Sequence, residues 1–320
     1  MDSVTSISGR RIVTLTTDTA VLRGIIDPEA EIEVLAEGFT WSEGPLWIAN
    51  HRMLLFTDVP ENKVFAWTDS GGVREYLSPA GFTGSTTTSR EPGANGLALT
   101  PSSQLLLCQH GDRRVARMEA SLQDPKPVFV TVADSWEGKR FHSPNDLIVN
   151  SRNQVFFTDP PYGLEKHADD PSREIDFMGV YRRDPDGSVH ALIRDLSRPN
   201  GIALSPDEKT LYVSNSDPDR AIWMAYALDD EGNPDAGKLF YDATSLVKTH
   251  KGLPDGLKVN RNGILFATGP GGVWIFNAQG NALGRIDTGE ATANCAFNAD
   301  QSVLFICADA YLMRVKLNSL

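Results

Sequence analysis

The sequence predicts an all-β fold, a six-bladed β-propeller, on the basis of three observations. A short block recurs six times, each time as a polar residue, an apolar run, a turn and a second apolar run that ends on a small residue. A third apolar segment follows each block, and a fourth follows it in the first five repeats. Four short strands per unit, at a period of roughly 40 to 55 residues, are typical of propeller blades.

Each block begins with Asn, Asp or Glu, which we call the anchor. The six anchors are Glu43, Asn95, Asn145, Asn200, Asp255 and Asn294. The small residues that end the six blocks are Thr57, Cys108, Thr158, Ser214, Thr268 and Cys307. The third apolar segments are marked by Val64, Val115, Val180, Ile222, Val273 and Leu312. The last anchor is assigned to Asn294 by its spacing to Cys307, whereas alignment on the turn would make Ala293 the equivalent residue.

The two ends of the chain are predicted to close the propeller together. The sixth repeat ends at Leu320 before a fourth strand, but the strand-like stretch EIEVLAEG precedes the first block. We therefore expect residues 31–36 to complete the sixth blade. This closure leaves no unpaired sheet edge at the seam.

The composition agrees with one domain over residues 1–320, of which residues 1–30 form an N-terminal extension. Hydrophobic residues make up 41% of the chain and charged residues 22%, which argues against long disordered segments. No apolar run approaches the length of a membrane span, so we do not expect the chain to cross a membrane. The first 30 residues carry charges without a continuous apolar core, so we expect no signal peptide and a cytoplasmic location.

Charge and cysteine content narrow the possible partners and compartment. A formal net charge of −12 disfavours nucleic acid and anionic membranes as partners. Three cysteines, an odd number, suit a reducing compartment. Cys108 and Cys307 stand where other repeats have Thr or Ser, which favours small packing residues over a reactive thiol or a disulfide. Oligomeric state is not predicted by any feature of the sequence.

The anchors are the candidate chemical site, because the first strand of every propeller blade lines the central channel. Equivalent positions therefore converge near one face. Converging side chains of Glu43, Asn145, Asn200 and Asp255 would present two carboxylates and two amide carbonyls, all oxygen donors. Such ligands suit calcium, and magnesium less well because it demands octahedral geometry. The alternative interpretation is that Asn-Gly and Asp-Gly are simply turn dipeptides.

Several spaced motifs resemble the gluconolactonase, or senescence marker protein (regucalcin), family of six-bladed propellers. These motifs are SEGPLW (42–47), SPNDL (143–147), RPNGIAL (198–204) and LPDGL (253–257). The segments CQHGDRRVAR (108–117) and FTDPPYGL (157–164) resemble bacterial gluconolactonases in particular. The resemblance implies one catalytic divalent cation, usually calcium, and hydrolysis of sugar lactones. Its metal ligands would be Glu43, Asn145, Asn200 and Asp255.

Four further residues are candidates for substrate binding. His110 and Arg113 are expected at the rim, where they could donate to a sugar hydroxyl or a product carboxylate, although a solvated basic turn is the alternative. Asp146 could bind hydroxyls or orient Asn145, and Asn95 could bind substrate or a metal-bound water.

The sequence thus predicts a calcium-dependent enzyme that opens a sugar lactone such as gluconolactone by attack of water. Asp255 is the candidate general base, with Glu43 as the second choice. The ligand set does not decide the substrate, because the related diisopropylfluorophosphatase-like phosphotriesterases share it. The alternatives are therefore a related lactonase or phosphotriesterase of other specificity, or a propeller that binds calcium without turnover.

Overall fold

The six repeats of the sequence form six antiparallel sheets, which follow one another around a ring. The computed structural model describes residues 10–16 and 19–318. The first-described elements are β1 (Arg11–Thr14), α1 (Thr19–Ile25) and β2 (Ile32–Glu37). Residues 1–9 of the predicted extension, and residues 17, 18, 319 and 320, lie outside the described residues.

The first three blades each contain four consecutive strands, apart from one small hairpin. The first blade consists of β3 (Ser42–Ile48), β4 (Met53–Asp58), β5 (Lys63–Thr68) and β6 (Gly72–Leu77). The second consists of β7 (Ala94–Leu99), β8 (Leu105–Gln109), β9 (Arg114–Met118) and β10 (Phe129–Ala133). After the hairpin of β11 (Ser135–Trp136) and β12 (Lys139–Arg140), the third consists of β13 (Leu147–Val149), β14 (Val155–Asp159), β15 (Gly179–Arg183) and β16 (Val189–Ile193).

The last three blades continue the pattern and close the ring. The fourth consists of β17 (Pro199–Leu204), β18 (Thr210–Asp217), β19 (Arg220–Ala227) and β20 (Lys238–Asp242). The fifth consists of β21 (Leu257–Val259), β22 (Leu265–Gly269), β23 (Gly272–Phe276) and β24 (Ala282–Asp287). The sixth consists of β25 (Thr292–Phe297), β26 (Val303–Ala308), β27 (Tyr311–Lys316) and the N-terminal β2. Short 3₁₀ helices occur at Ala49–His51, His167–Asp169 and Thr244–Leu246.

The predicted propeller and its closure are confirmed. The first strand of each blade contacts the first strand of the next, and the cycle returns from β25 to β3. β2 pairs antiparallel with β27, with Ile32 opposite Val315, so the sixth blade contains both ends of the chain. The second strands β4, β8, β14 and β22 are buried along their whole length, because each is covered by the blades on both sides. No helix in the described part of the chain is long and apolar enough to cross a membrane.

Five of the six recurring small residues donate a hydrogen bond to the next blade. Thr158 Oγ1 donates to the backbone carbonyl of Asn200, the next anchor, at 2.6 Å. The same contact recurs as Thr57 to Asn95 (3.2 Å), Ser214 to Asp255 (2.8 Å), Thr268 to Ala293 (2.8 Å) and Cys307 to Glu43 (3.7 Å). Ala293, not Asn294, therefore occupies the sixth anchor position, and the alignment on the turn is correct. Thr, Ser and Cys recur because each is small and carries a donor. The three cysteines are free and buried.

The N-terminal extension adds structure that the repeat pattern does not predict. β1 pairs with β24 as a fifth strand on the outer edge of the fifth blade, with Arg11 opposite Asp287. α1 lies beside it and buries Leu22 and Ile25 against the fifth and sixth blades. The extension thus covers the seam at which the propeller closes, and it protects one sheet edge.

Replacing Leu22 by Ala is expected to lower the free energy of unfolding by about 2–5 kcal/mol, because the side chain is fully buried and would leave a cavity. Urea unfolding followed by tryptophan fluorescence measures this. Gly24→Ala in the same helix is the control, since no atom lies within 4 Å of the added Cβ. A loss below about 1 kcal/mol for Leu22→Ala would show that α1 does not stabilise the seam.

Candidate metal centre

The anchors lie where the regular strand pairing breaks down. In four blades the register of the first strand shifts around the anchor, as between Glu43 and Leu46 or between Pro199 and Ile202. In the third and fifth blades the paired strand begins only after the anchor, at Leu147 and Leu257. Such irregularities turn a side chain out of the sheet. The anchor side chains are thereby directed to one end of the central channel.

The four predicted ligands line one cavity. Glu43, Asn145, Asn200 and Asp255 all line a cavity of about 460 Å³, a size that suits a small organic ligand. One side-chain oxygen of each of three of these residues is buried without a hydrogen-bond partner among the described residues: Asn145 Oδ1, Asn200 Oδ1 and Asp255 Oδ1. Buried polar atoms normally have a partner. These unpartnered oxygens therefore mark a place where a ligand can bind.

The two carboxylates are held close together in a buried setting. Burial and the charge of Asp146 raise the pKa of Glu43, while burial and the charge of Glu43 raise the pKa of Asp255. Two buried like charges oppose each other's ionisation. A bound divalent cation would relieve this repulsion, so the electrostatics of the pair fit a cation.

Glu43 is oriented by two donors, the backbone amide of Gly44 and the side chain of Asn294. Its Oε2 accepts from the backbone amide of Gly44 and from Asn294 Nδ2, the latter at 3.1 Å. Asn294 Oδ1 in turn accepts from Lys258 Nζ at 3.2 Å, which defines the orientation of the Asn294 amide. Lys258 was not named from the sequence, although the sequence contained a signal for it. It lies three residues after the anchor Asp255, where the other five blades have an apolar residue: Leu46, Ala98, Ile148, Ala203 and Ala296.

His110 lies behind Asn145 and not at the rim. Its side chain is fully buried, and its Nε2 is 3.4 Å from Asn145 Nδ2. Burial lowers the pKa of His110 to about 4, so the imidazole is neutral at neutral pH. Its Nδ1 faces Glu91, whose Oε2 is 4.0 Å away. His110 is not among the residues that line the cavity.

Arg113 and Asp146 are not among the residues that line the cavity, whereas Asn95 lines it. The Arg113 guanidinium donates to the backbone carbonyls of Phe141 (2.6 Å) and Ser172 (3.2 Å), so it joins two loops. Asp146 is buried in the channel with its Oδ2 4.0 Å from Lys258 Nζ. Asp146 Oδ2 is also buried without a hydrogen-bond partner among the described residues. A substrate contact by Arg113 or Asp146 therefore stays a prediction. Asn95 Oδ1 is buried and has no hydrogen-bond partner among the described residues, which keeps Asn95 as a candidate.

The walls of the cavity come mainly from loops, and the sequence did not identify their residues. These residues include Trp41, Glu91, Tyr162, Arg198 and His250. Tyr162 belongs to the segment FTDPPYGL, which was a usable signal. Trp41 and Arg198 each stand two residues before an anchor, which was a second usable signal. Glu91 and His250 lie on loops of unequal length, where the repeat provides no equivalent positions to compare. Burial raises the pKa of Glu91 to about 7.

A metal ion in this cavity would have to use amide oxygens together with carboxylates. Within residues 10–16 and 19–318, no three His, Cys, Asp or Glu side chains lie close enough together to hold a metal ion. Two carboxylates and two amide carbonyls instead form an all-oxygen set, which is the chemistry that calcium prefers. The unpartnered amide oxygens agree with that use, so the residues present fit a hard divalent cation.

Comparison with known proteins identifies the family of this chain. The sequence pattern of the SMP-30/Gluconolactonase/LRE-like region matches residues 41–309. The chain belongs to this family. The resemblance found in the motifs is thereby confirmed, and the match includes all six anchors of this gluconolactonase-family protein.

Relatives of this gluconolactonase-family protein are similar to it in sequence and structure over nearly its whole length. A gluconolactonase from Zymomonas mobilis is 38% identical over 320 residues, covering 97% of this chain and 88% of the relative. The solved structure of a gluconolactonase from Xanthomonas campestris is 32% identical, with a TM-score of 0.81, covering 96% of this chain and 95% of that one. A calcium-binding regucalcin from Agrobacterium tumefaciens has a TM-score of 0.68 at 19% identity, which shows a shared fold.

Proposed function

We propose that this protein is a lactone hydrolase that opens a sugar lactone such as gluconolactone and that needs one divalent cation, calcium, to do so. One observation carries the proposal: Asn145, Asn200 and Asp255 line one cavity of about 460 Å³, and each has a buried side-chain oxygen with no hydrogen-bond partner in the described part of the chain. The gluconolactonases of Zymomonas mobilis and Xanthomonas campestris, which cover nearly the whole chain, support the lactone as substrate.

The cation would be held by Glu43, Asn145, Asn200 and Asp255. When bound, it would polarise the lactone carbonyl and stabilise negative charge on the carbonyl oxygen. Glu43 is prepared for this role, because Gly44 and Asn294 bind its Oε2 and so fix the direction of the carboxylate. Two formal negative charges would balance the charge of one divalent cation, which suits a neutral substrate.

Asp255 is the proposed general base. Its carboxylate lines the cavity, and it would take a proton from the water that attacks the carbonyl carbon. Burial and the neighbouring Glu43 raise the pKa of Asp255, which favours proton uptake, while coordination of a cation would oppose it. Glu43 is the second choice, since both of the donors to its Oε2 weaken its basicity.

The walls of the cavity are suited to a polyhydroxylated ligand. Asn95, Ser216 and Thr292 offer hydroxyl or amide groups, and Trp41 and Tyr162 offer aromatic faces. Arg198 and Glu91 add one positive and one acidic group. We propose that these residues bind the hydroxyls of the lactone, and Asn95 among them is also a candidate from the sequence. The cytoplasmic location stays a prediction.

Metal removal tests this function. Metal-stripped protein is expected to release acid from glucono-1,5-lactone no faster than the spontaneous reaction, and added calcium is expected to restore hydrolysis. Magnesium, manganese and zinc are added in parallel to rank the ions. Hydrolysis that persists in the stripped protein would contradict the metal requirement. No hydrolysis of gluconolactone, other lactones or phosphotriesters with any ion would favour a propeller that binds without turnover.

A further inference from the structure

An amide side chain can act as a metal ligand in only one of its two orientations. Its carbonyl oxygen binds a cation, whereas its NH₂ group carries the wrong partial charge and would repel one. Asn145 is 1% exposed, so protein atoms surround almost the whole of its amide. Whatever contacts the NH₂ end of Asn145 therefore decides whether Oδ1 faces the cavity.

The contact at the NH₂ end of Asn145 is the imidazole of His110. Asn145 Nδ2 is 3.4 Å from His110 Nε2, and Asn145 Oδ1 on the opposite side has no partner among the described residues. An imidazole nitrogen that faces an amide NH₂ has to act as the acceptor, so Nε2 is unprotonated and Nδ1 carries the hydrogen. Nδ1 itself has no hydrogen-bond partner among the described residues, and Oε2 of Glu91 is 4.0 Å from it, beyond hydrogen-bonding distance.

The His110 ring is held in this place by the surrounding backbone. The amide of His110 donates to the carbonyl of Gly93 at 3.1 Å, which ties it to the loop that carries Glu91. Gly163 packs against it so closely that an added Cβ would lie 2.7 Å from His110 Cβ. The side chain has no exposed surface, so protein atoms enclose the ring. A rigid acceptor of this kind can hold one amide orientation.

We propose that His110 is a positioning residue, which holds the Asn145 amide with its Oδ1 directed into the cavity and so prepares the site for a cation. This role rests on the proposed function. It differs from substrate binding, because His110 does not line the cavity and acts only through Asn145. Residues that orient metal ligands in this way typically contribute a factor of about 10–100 to metal affinity.

Calcium titration calorimetry on metal-stripped protein tests the role directly. His110→Leu removes the acceptor without changing the charge and is expected to weaken calcium binding at least about tenfold. His110→Gln can place an amide oxygen near the position of Nε2 and is expected to stay within about threefold of the original affinity. His51→Leu, in the 3₁₀ helix at the other end of β3, is the control and is expected to bind calcium normally.

A second pair of variants separates orientation from packing. A carboxylate has oxygens at both ends, so it needs no orienting partner. His110→Leu is therefore expected to cause no loss of calcium affinity in an Asn145→Asp background. At saturating calcium, the KM of His110→Leu for gluconolactone is expected to be unchanged. Should the Leu variant not fold, as judged by thermal unfolding, His110→Phe serves as the variant that lacks an acceptor.

Three results would overturn the role of His110. The first is unchanged calcium affinity in His110→Leu or His110→Phe. The second is an equal loss of affinity in the unsubstituted and the Asn145→Asp backgrounds, which would show a packing effect. The third is a loss in His110→Gln as large as that in His110→Leu. If the unsubstituted protein bound no calcium, the proposed metal site would fail first, and the role of His110 would fail with it.

Discussion

Asp255→Asn is expected to lower the kcat of lactone hydrolysis by a factor of about 10²–10⁴, measured at saturating calcium. The substitution keeps the shape of the side chain and one oxygen that can bind a cation, but it removes the proposed general base. It also removes one of the two negative charges of the site, so calcium affinity should fall as well. Hydrolysis is measured over a calcium titration to separate the two effects.

The stability of the Asp255 variant distinguishes a functional defect from misfolding. Because Glu43 and Asp255 oppose each other's ionisation, the metal-free Asn variant should be at least as stable as the unsubstituted protein. Asp230→Asn, an exposed position on the loop after β19, is the control and should change neither property. Hydrolysis that remained within a factor of about three would remove Asp255 from the mechanism.

Gly201→Ala is the second substitution with a large expected effect. An added Cβ at Gly201 would lie 2.1 Å from the carbonyl oxygen of Asp255 and 2.7 Å from Gly256 Cα, both of them backbone atoms. The first strands of the fourth and fifth blades would have to move apart. Overpacking of this kind costs about 1–3 kcal/mol in unfolding free energy, or more where the backbone cannot yield.

The same movement should impair the site, since Asn200 and Asp255 flank the clash. A displacement of about 1 Å in an active site can cost about a hundredfold in rate. Gly24→Ala is the matched control, because it makes the same substitution in a helix with free space, and it should be neutral or slightly stabilising. Urea unfolding and lactone hydrolysis are measured on both. Normal stability and hydrolysis in Gly201→Ala would contradict the close approach of the two blades.

The close approach of the two blades also explains the Asn-Gly and Asp-Gly pairs. From the sequence alone, these pairs could be either simple turns or parts of a functional site. Gly201 and Gly256 follow their anchors because the next blade leaves no room for a side chain: a Cβ at Gly256 would overlap the Asn294 amide. The pairs are thus neither simple turns nor chance repeats. They let neighbouring anchors approach closely enough for their side chains to share one cavity.

The architecture was predictable because it is periodic. Six equivalent blocks imply six equivalent blades, and a missing strand at one end implies that the other end supplies it. β1 and α1 were not predictable in this way. The four residues of β1 form too short a pattern, and they pair with β24 about 270 positions away. Nothing local in the sequence encodes such a partner.

The convergence of the four proposed ligands was predictable for the same reason, but the surroundings of the site were not. His110 and Arg113 lie in one turn, and the sequence placed both at the rim. In the structure the turn directs one side chain behind Asn145 and the other toward Phe141 and Ser172. Side-chain direction in a loop depends on contacts with distant segments, which no local pattern reveals.

The most direct test of the account is to locate the cation in crystals grown with calcium, from its anomalous scattering. The account predicts one strong peak in the cavity, with oxygens of Glu43, Asn145, Asn200 and Asp255 at about 2.3–2.6 Å. A well-ordered cavity with no peak, or a peak bound by other residues, would contradict the claim that the anchors of the propeller form a calcium site.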